Sequence, residues 1–238
     1  MATSSGDSPL PSDTPSDVTH HRPPGNGEWF PVWGVRMETP RLVLEPLREH
    51  RFEEACDLID RGIHDPSWMP FEVPFTDTDP PLREQQSIEF WLGCWAGVSP
   101  EGWRLPFAVL LEGAMIGLQE LAASGWQERR VVETGSWLGR DFQGHGYGRE
   151  MRAAVLHLAF ECLGAGSAES TAFEDNPAPG RVSESLGYVV SGTRTVPRRG
   201  EPATQVVFTM DRSAWPASAA SRLAVEATGI DDRTLVQL

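Results

Sequence analysis

Between Val131 and Cys162 the sequence sets a strand, a run of glycines and an amphipathic helix end to end, and this order limits the fold more than anything else in the chain. Val131 to Leu138 reads as a strand. Gly139-Arg140-Asp141-Phe142-Gln143-Gly144-His145-Gly146-Tyr147-Gly148 follows at once. Met151, Ala154, Val155, Leu158, Ala159 and Cys162 then recur at i, i+3, i+4, i+7, i+8 and i+11, the spacing of one helix face. Glycines let the backbone turn sharply and let a ligand approach it closely. The unpaired N–H groups of a helix start, together with the helix dipole, make an anion site there. The ligand this predicts is a diphosphate held by main-chain amides. A plain tight strand–helix connection accounts for the same glycines, so the surroundings must decide. The spacing is Gly-x-Gly-x-Gly, and no acidic residue follows at the end of a second parallel strand. A Rossmann dinucleotide site is therefore a poor match.

The rest of the chain alternates strand and helix signals. Arg41 to Glu45 is a strand stopped at Pro46, and Phe107–Leu111 with Met115–Leu121 forms a hairpin about Glu112-Gly113-Ala114. Ala168–Phe173, Tyr188–Gly192 and Gln205–Met210 are further strands. Glu49–Ile59, Leu82–Val98 and Pro177–Leu186, the last with Asn176 at its start, are further helices. The expected fold class is mixed α+β, with a central, mostly antiparallel sheet of six to seven strands flanked by helices. Residues 1–30 are rich in Ser, Pro, Asp and Thr and poor in large apolar side chains, which predicts a disordered tail. Residues 31–215 form the predicted domain. Residues 216–238 read as a C-terminal appendage with a short helix over Arg222–Thr228.

Composition removes several classes of function. All 20 Lys+Arg residues are arginine. With no lysine amine, phosphate-loop NTPases, pyridoxal enzymes and Schiff-base aldolases are excluded; a GC-rich genome explains the bias. Against those 20 cations stand 34 Asp+Glu, a formal net charge of −14, which argues against nucleic-acid binding. Cys56, Cys94 and Cys162 are far apart and predict neither a disulfide framework nor a metal site. No apolar run reaches the length of a membrane span, and the first residues lack a signal-peptide pattern, so the expected location is cytoplasmic with no membrane partner.

Gln143-x-x-Gly146-x-Gly148 resembles the Gln/Arg-x-x-Gly-x-Gly/Ala motif of the GCN5-related N-acetyltransferase (GNAT) superfamily. Glu133-Thr134-Gly135-Ser136-Trp137-Leu138 and Thr39-Pro40-Arg41-Leu42-Val43-Leu44 resemble strands of its RimJ/RimL-like branch. Asp175-Asn176-Pro177-Ala178 and Arg181 to Tyr188 resemble that branch's last helix and the turn after it. The likeness runs from about Thr39 to Arg212. Gln143 to Leu156 and His64 to Phe71 are closer still to a succinyltransferase-type member of the family from actinobacteria. The resemblance implies acyl-CoA, acetyl or succinyl, as cosubstrate without a metal. It implies that the CoA pyrophosphate lies on Gln143, Gly144, His145, Gly146, Tyr147 and Gly148, and that the pantetheine arm lies along Trp137 and Leu138 with Asn176 close by. It also implies a frequent homodimer. One position departs from the family: Pro179 stands where members often carry a serine whose hydroxyl serves the leaving thiol.

Transfer of an acyl group to an amine needs a base, because an alkylammonium with a pKa of ~10.4 is charged at neutral pH. Glu133 is the first candidate, on the strand expected to face the thioester, and Glu120 on the neighbouring strand is the alternative. Glu133 has a plain reading as well, a solvent-facing carboxylate beside Arg129 or Arg130. Glu150 suits a helix first turn. The Pro- and aromatic-rich loop from His64 to Phe75 is either an acceptor wall or a cover for the core. The predicted activity is N-acyl transfer to an amine-bearing small molecule or a protein amine, in a ternary complex. A non-catalytic acyl-CoA sensor on the same fold is the alternative.

Overall fold

The structure is a computed structural model that describes residues 28–238. The disorder expected for residues 1–30 therefore falls, up to residue 27, outside the described residues. Nine strands make one sheet: β1 Arg36–Glu38, β2 Leu42–Pro46, β3 Gly102–Leu111, β4 Ala114–Ser124, β5 Val131–Leu138, β6 Ser167–Phe173, β7 Val189–Arg198, β8 Glu201–Asp211 and β9 Glu226–Thr228. Their order is β7-β8-β6-β5-β4-β3-β2-β1-β9. Only β5 and β6 pair in parallel. The helices are α1 Phe52–Arg61, α2 Leu82–Ala96, α3 Trp126–Arg129, α4 Tyr147–His157, α5 Pro177–Leu186 and α6 Asp232–Gln237.

The sheet has nine strands where six to seven were expected. The two additions, β1 and β9, are three residues each, too short for alternation to show. They pair with each other, Arg36 opposite Thr228 and Glu38 opposite Glu226. This also corrects the helix expected over Arg222–Thr228, which is extended where β1 offers it a ladder. The C-terminal segment is built into the fold. Ala220 and Leu238 are buried in the main core, and Val32 donates its N–H to Gln237 Oε1 at 3.0 Å.

The core is double because the sheet is covered on both faces. Met151, Ala154, Val155, Leu158 and Ala159 of α4 and the π-helical stretch after it, Leu158–Cys162, pack with Leu105, Phe107, Val109 and Leu121. Phe52, Ala55, Leu58 and Ile59 of α1 and Trp91 of α2 pack on the other face with Ala108, Leu110, Met115 and Leu118. The β3–β4 register slips once: Val109 faces Gly117 but Leu110 faces Met115, leaving Ile116 as the extra residue. Such a bulge re-aims every side chain beyond it. Ile116 lies in the α4 core, Leu118 in the α1–α2 core, and Glu120 follows Leu118 onto that second face.

The β7–β8 hairpin extends well beyond the predicted strands Tyr188–Gly192 and Gln205–Met210. Its middle is polar and β7 is exposed along nearly its whole length, so no apolar alternation marks it. Charge holds it down instead. Arg194 meets Glu72 at 3.1 Å, Arg199 meets Asp77 at 2.6 Å and 2.7 Å, and Arg198 grips Asp175 at 2.7 Å and 2.8 Å. The hydrogen bonds from Arg199 and Arg198 hold the Asp77 and Asp175 carboxyls below their ordinary values. A depressed carboxyl stabilises the docked arm above its free pKa of about 4 and loses that effect as pH falls through the lower bound value. Hydrogen exchange of residues 193–203 is expected to stay level from pH 8 to about pH 4.5 and to speed up below about pH 4 relative to β3. Added salt will weaken the docking at every pH, since these pairs are exposed.

Candidate active site

β5 and β6 are paired only from Val131–Ser167 to Glu133–Glu169. Beyond that rung they part. β5 stays on β4 as far as Leu138 opposite Gly117, while β6 follows β8 as far as Phe173 opposite Gln205. The sheet therefore opens in a V, and the edge of β5 away from β4 has no strand partner past Glu133. That free edge carries Trp137 and Leu138, and the start of α5 at Asn176 lies just beyond the end of β6. Asn176 caps α5, its side-chain oxygen accepting from the Ala178 N–H at 3.4 Å.

The glycine loop closes the wide end of the V. Gly139 donates to the Ile116 carbonyl at 3.0 Å, so the loop leaves β5 at the bulge. The Gln143 side chain does not reach outward: its amide donates to the carbonyls of Ile63 and Leu138 at 2.8 Å and 2.9 Å and braces the loop from behind. Gly144 and Gly146 take φ of +79° and +83°, left-handed values that disfavour any side chain. Gly146 is the N-cap of α4, and the N–H groups of Tyr147, Gly148 and Arg149 have no intrahelical acceptor. His145 and Tyr147 stack with ring centroids 5.8 Å apart, and the Arg41 guanidinium lies 4.6 Å above the Tyr147 ring.

Arg41 also donates to the His145 carbonyl at 3.1 Å and is held by buried Glu150, Nε to Oε2 at 2.7 Å. Glu150 accepts further from Thr39 Oγ1 at 2.7 Å and the Arg41 N–H at 3.0 Å. Sequence gave Glu150 only a helix-start role. It is a latch between α4 and the start of β2. Glu150→Leu is expected to cost about 2–3 kcal/mol, measured by urea unfolding, because several donors lose their acceptor at once.

The two candidate bases are separated by burial. Glu133 is exposed, at the last paired rung and beside Glu169. Glu120 lies opposite Gly135, on the face of α1 and α2; a Cβ on Gly135 would stand 3.5 Å from Glu120 Oε1. Its side chain is 13% exposed and pairs with Arg104. Burial pushes the Glu120 carboxyl above the ordinary carboxylate range, the Arg104 charge and hydrogen bond oppose this, and the Glu133 charge adds to it. Beside this pair an open cavity of about 440 Å³ lies between α2 and the ends of β3 and β4, walled by Phe90, Cys94, Trp103, Arg104 and Ala122. The loop from His64 packs nearby: Phe71 meets Phe75 at 5.1 Å, and both join the cluster that includes Trp137. Burial pushes the Cys94 thiol up to about 12 and raises Cys56 and Cys162, which leaves no thiolate nucleophile among them. Among the described residues no group of three or more His, Cys, Asp or Glu is placed to hold a metal ion, and no helix is long and apolar enough to cross a membrane.

The family model described as the acetyltransferase (GNAT) domain matches residues 41–189, from the start of β2 through the glycine loop and α5. This chain belongs to the GNAT acetyltransferase family. Among solved structures, this GNAT chain is similar to Mycobacterium smegmatis RimJ in complex with CoA-disulfide, at 20% identity over 79% of this chain and 90% of that one, with a TM-score of 0.64. A GCN5-related N-acetyltransferase from Brucella melitensis shows 21% identity over 76% and 80% of the two chains, TM-score 0.60. RimL, a ribosomal alpha-N-protein acetyltransferase in complex with coenzyme A, shows 15% identity over 73% and 95%, TM-score 0.58. The GNAT fold expected from the sequence is the fold observed. The residues of this GNAT site fit an acyl-CoA: free helix-start amides for a diphosphate, and an unpaired strand edge for a chain carrying amide groups.

Proposed function

We propose that this protein transfers an acetyl or succinyl group from acyl-CoA to a primary amine by direct attack in a ternary complex. One observation carries the reading: the V between β5 and β6 opens beside the unpaired amides that follow Gly146. Gly144 to Gly148 and Arg149 hold the pyrophosphate through main-chain N–H groups. Gln143 acts from behind the loop, His145 and Tyr147 shape its outer wall, and Trp137, Leu138 and Asn176 line the pantetheine path.

Glu120 takes the proton of the acceptor ammonium, and Glu133 is the less suited candidate because it is exposed. A desolvated carboxylate beside the splay is closer in basicity to the amine than a solvated one. Once the amine is free, its nitrogen bonds to the acyl carbon, the C–S bond breaks with its electron pair left on sulfur, the nitrogen loses its second proton to solvent, and the sulfur takes a proton from solvent so that coenzyme A is released as the thiol. Holding both substrates in one cleft lowers the barrier by orientation. Glu120, Glu133 and Glu169 give the acceptor side a negative lip, which favours a cationic acceptor such as a protein amine or a basic small molecule.

A thiol-release assay crossing acetyl- and succinyl-CoA with peptide and small-molecule amines tests this. Amine-dependent release of free thiol is expected, with a rise in Tm on adding CoA. A Tm rise without any thiol release would make the protein an acyl-CoA sensor. No Tm rise with any short acyl-CoA would end both readings.

A further inference from the structure

Two charged side chains are buried among the described residues, Glu150 and Arg152. Glu150 is paired with Arg41. Arg152, on α4, is 4% exposed and has no carboxylate partner among the described residues. Its Nη1 donates to Ser170 Oγ at 3.0 Å and Ser183 Oγ at 2.9 Å, its Nη2 reaches Ser136 Oγ at 3.4 Å, and its Nε has no acceptor among the described residues. Tyr188, itself buried, is the titratable side chain that interacts with it among the described residues; burial raises the phenol, which is therefore uncharged near neutral pH, and lowers the guanidinium below its ordinary value.

The place of this cation matters as much as its lack of a counter-charge. Ser136 belongs to β5, Ser170 to β6 and Ser183 to α5, so the guanidinium spans the V from one arm to the other. Ser183 passes its own proton toward the Pro179 carbonyl at 3.1 Å. Ser136 accepts from Arg152 and donates to no acceptor among the described residues, whereas Ser170 accepts from Arg152 and also lies 3.4 Å from the Ser183 hydroxyl. Ser170 is buried; Ser136 is half-buried, on the strand whose free edge lines the opening. A hydroxyl that accepts from a guanidinium is polarised to donate more strongly. A preorganised, water-excluded cation is most effective where negative charge develops only during reaction.

We propose that Ser136 and Arg152 receive the departing thiolate of coenzyme A, Ser136 through its O–H and Arg152 as the positioning residue that holds that hydroxyl and sets a positive charge behind it. This rests on the proposed acyl transfer. As the C–S bond breaks its electron pair stays on sulfur, the Ser136 O–H and the guanidinium offset that charge, and solvent protonates the sulfur on release. The pair supplies what Pro179, with no hydroxyl, does not.

Calorimetric titration of CoA and of desulfo-CoA between pH 6.5 and 9.5 tests the proposal without turnover. A cysteine thiol has a pKa of about 8.5 and the alkyl thiol of CoA a higher one; a bound thiol one unit below the free one makes CoA bind progressively tighter, relative to desulfo-CoA, as pH rises past the bound value, up to about tenfold above the free value. That rise is expected in the unaltered protein, lost in Ser136→Ala and Arg152→Met, and partly kept in Arg152→Lys. Ser136→Ala, at a half-buried position, carries the test alone if Arg152→Met does not fold. A flat ratio in the unaltered protein, or an unchanged rise in Ser136→Ala, overturns the proposal and leaves the acyltransferase reading standing. It is also overturned if Arg152→Met changes only the preference between succinyl- and acetyl-CoA, since the cation would then read a carboxylate on the acyl chain. Failure of the unaltered protein to bind CoA at any pH overturns both.

Discussion

Glu120→Gln is expected to lower kcat by about a hundredfold or more, the usual range for removing a positioned base, with CoA affinity unchanged. The separation between kcat and CoA binding follows from position. Glu120 faces α1 and α2, whereas the free amides after Gly146 lie at the wide end of the V. The pH profile gives a second check. With its carboxyl raised by burial, Glu120 as the proposed base would be ionised only above that raised value, so kcat/KM should climb through an acid limb lying above the ordinary carboxylate range, and the limb should vanish in Glu120→Gln. The sign for stability is opposite. A carboxyl whose folded pKa is raised stabilises the fold below its free pKa and loses that effect as pH rises. At neutral pH the variant is therefore expected to keep or exceed the parent Tm, read by thermal denaturation. If Glu133→Gln, and not Glu120→Gln, removes the acid limb, the base is the exposed carboxylate.

Gly146→Val is expected to remove the CoA-dependent rise in Tm and to lower CoA affinity by at least tenfold. At φ +83° a β-branched residue strains the backbone by roughly 1–2 kcal/mol or more. The added side chain also stands at the N-cap of α4, the proposed site of the diphosphate. Strain alone is controlled by Gly200→Val, at φ +84° in the far hairpin turn. Gly200→Val should lose comparable stability and keep the full CoA-dependent shift. Equal loss of that shift in both variants would show that general destabilisation, and not the anion cradle, explains the result.

The parts of the molecule legible in sequence are those fixed by short-range pattern. β5 and α5 begin and end at the residues predicted, because Val131 to Leu138 is a strand run ended by Gly139 and Asn176-Pro177 is a helix start with Gly187 at its end. The glycine loop was legible because only glycine relaxes at Gly144 and Gly146. Glu133 and Glu120 are both legible as candidate bases, but the difference in burial between them, Glu120 shielded and Glu133 exposed, is not. A single bulge at Ile116 sets which side chains of β4 face α1 and α2, and burial of the neighbours decides which carboxylate is desolvated. Arg152 carried a weak signal, a charge next to Met151 on an otherwise apolar helix stripe, yet its partners are 16, 18 and 31 residues away.

The sequence by itself determined the strand–glycine–helix unit, the α+β class and the absence of any lysine for phosphate binding, since each depends on residue type and local spacing alone. Only the tertiary structure decided that β9 returns to pair with β1, that the β7–β8 arm is pinned by Arg194, Arg198 and Arg199, and that a buried cation with no carboxylate partner among the described residues spans the splay. Those outcomes depend on which groups are removed from water together, and that is a property of packing between segments distant in the chain.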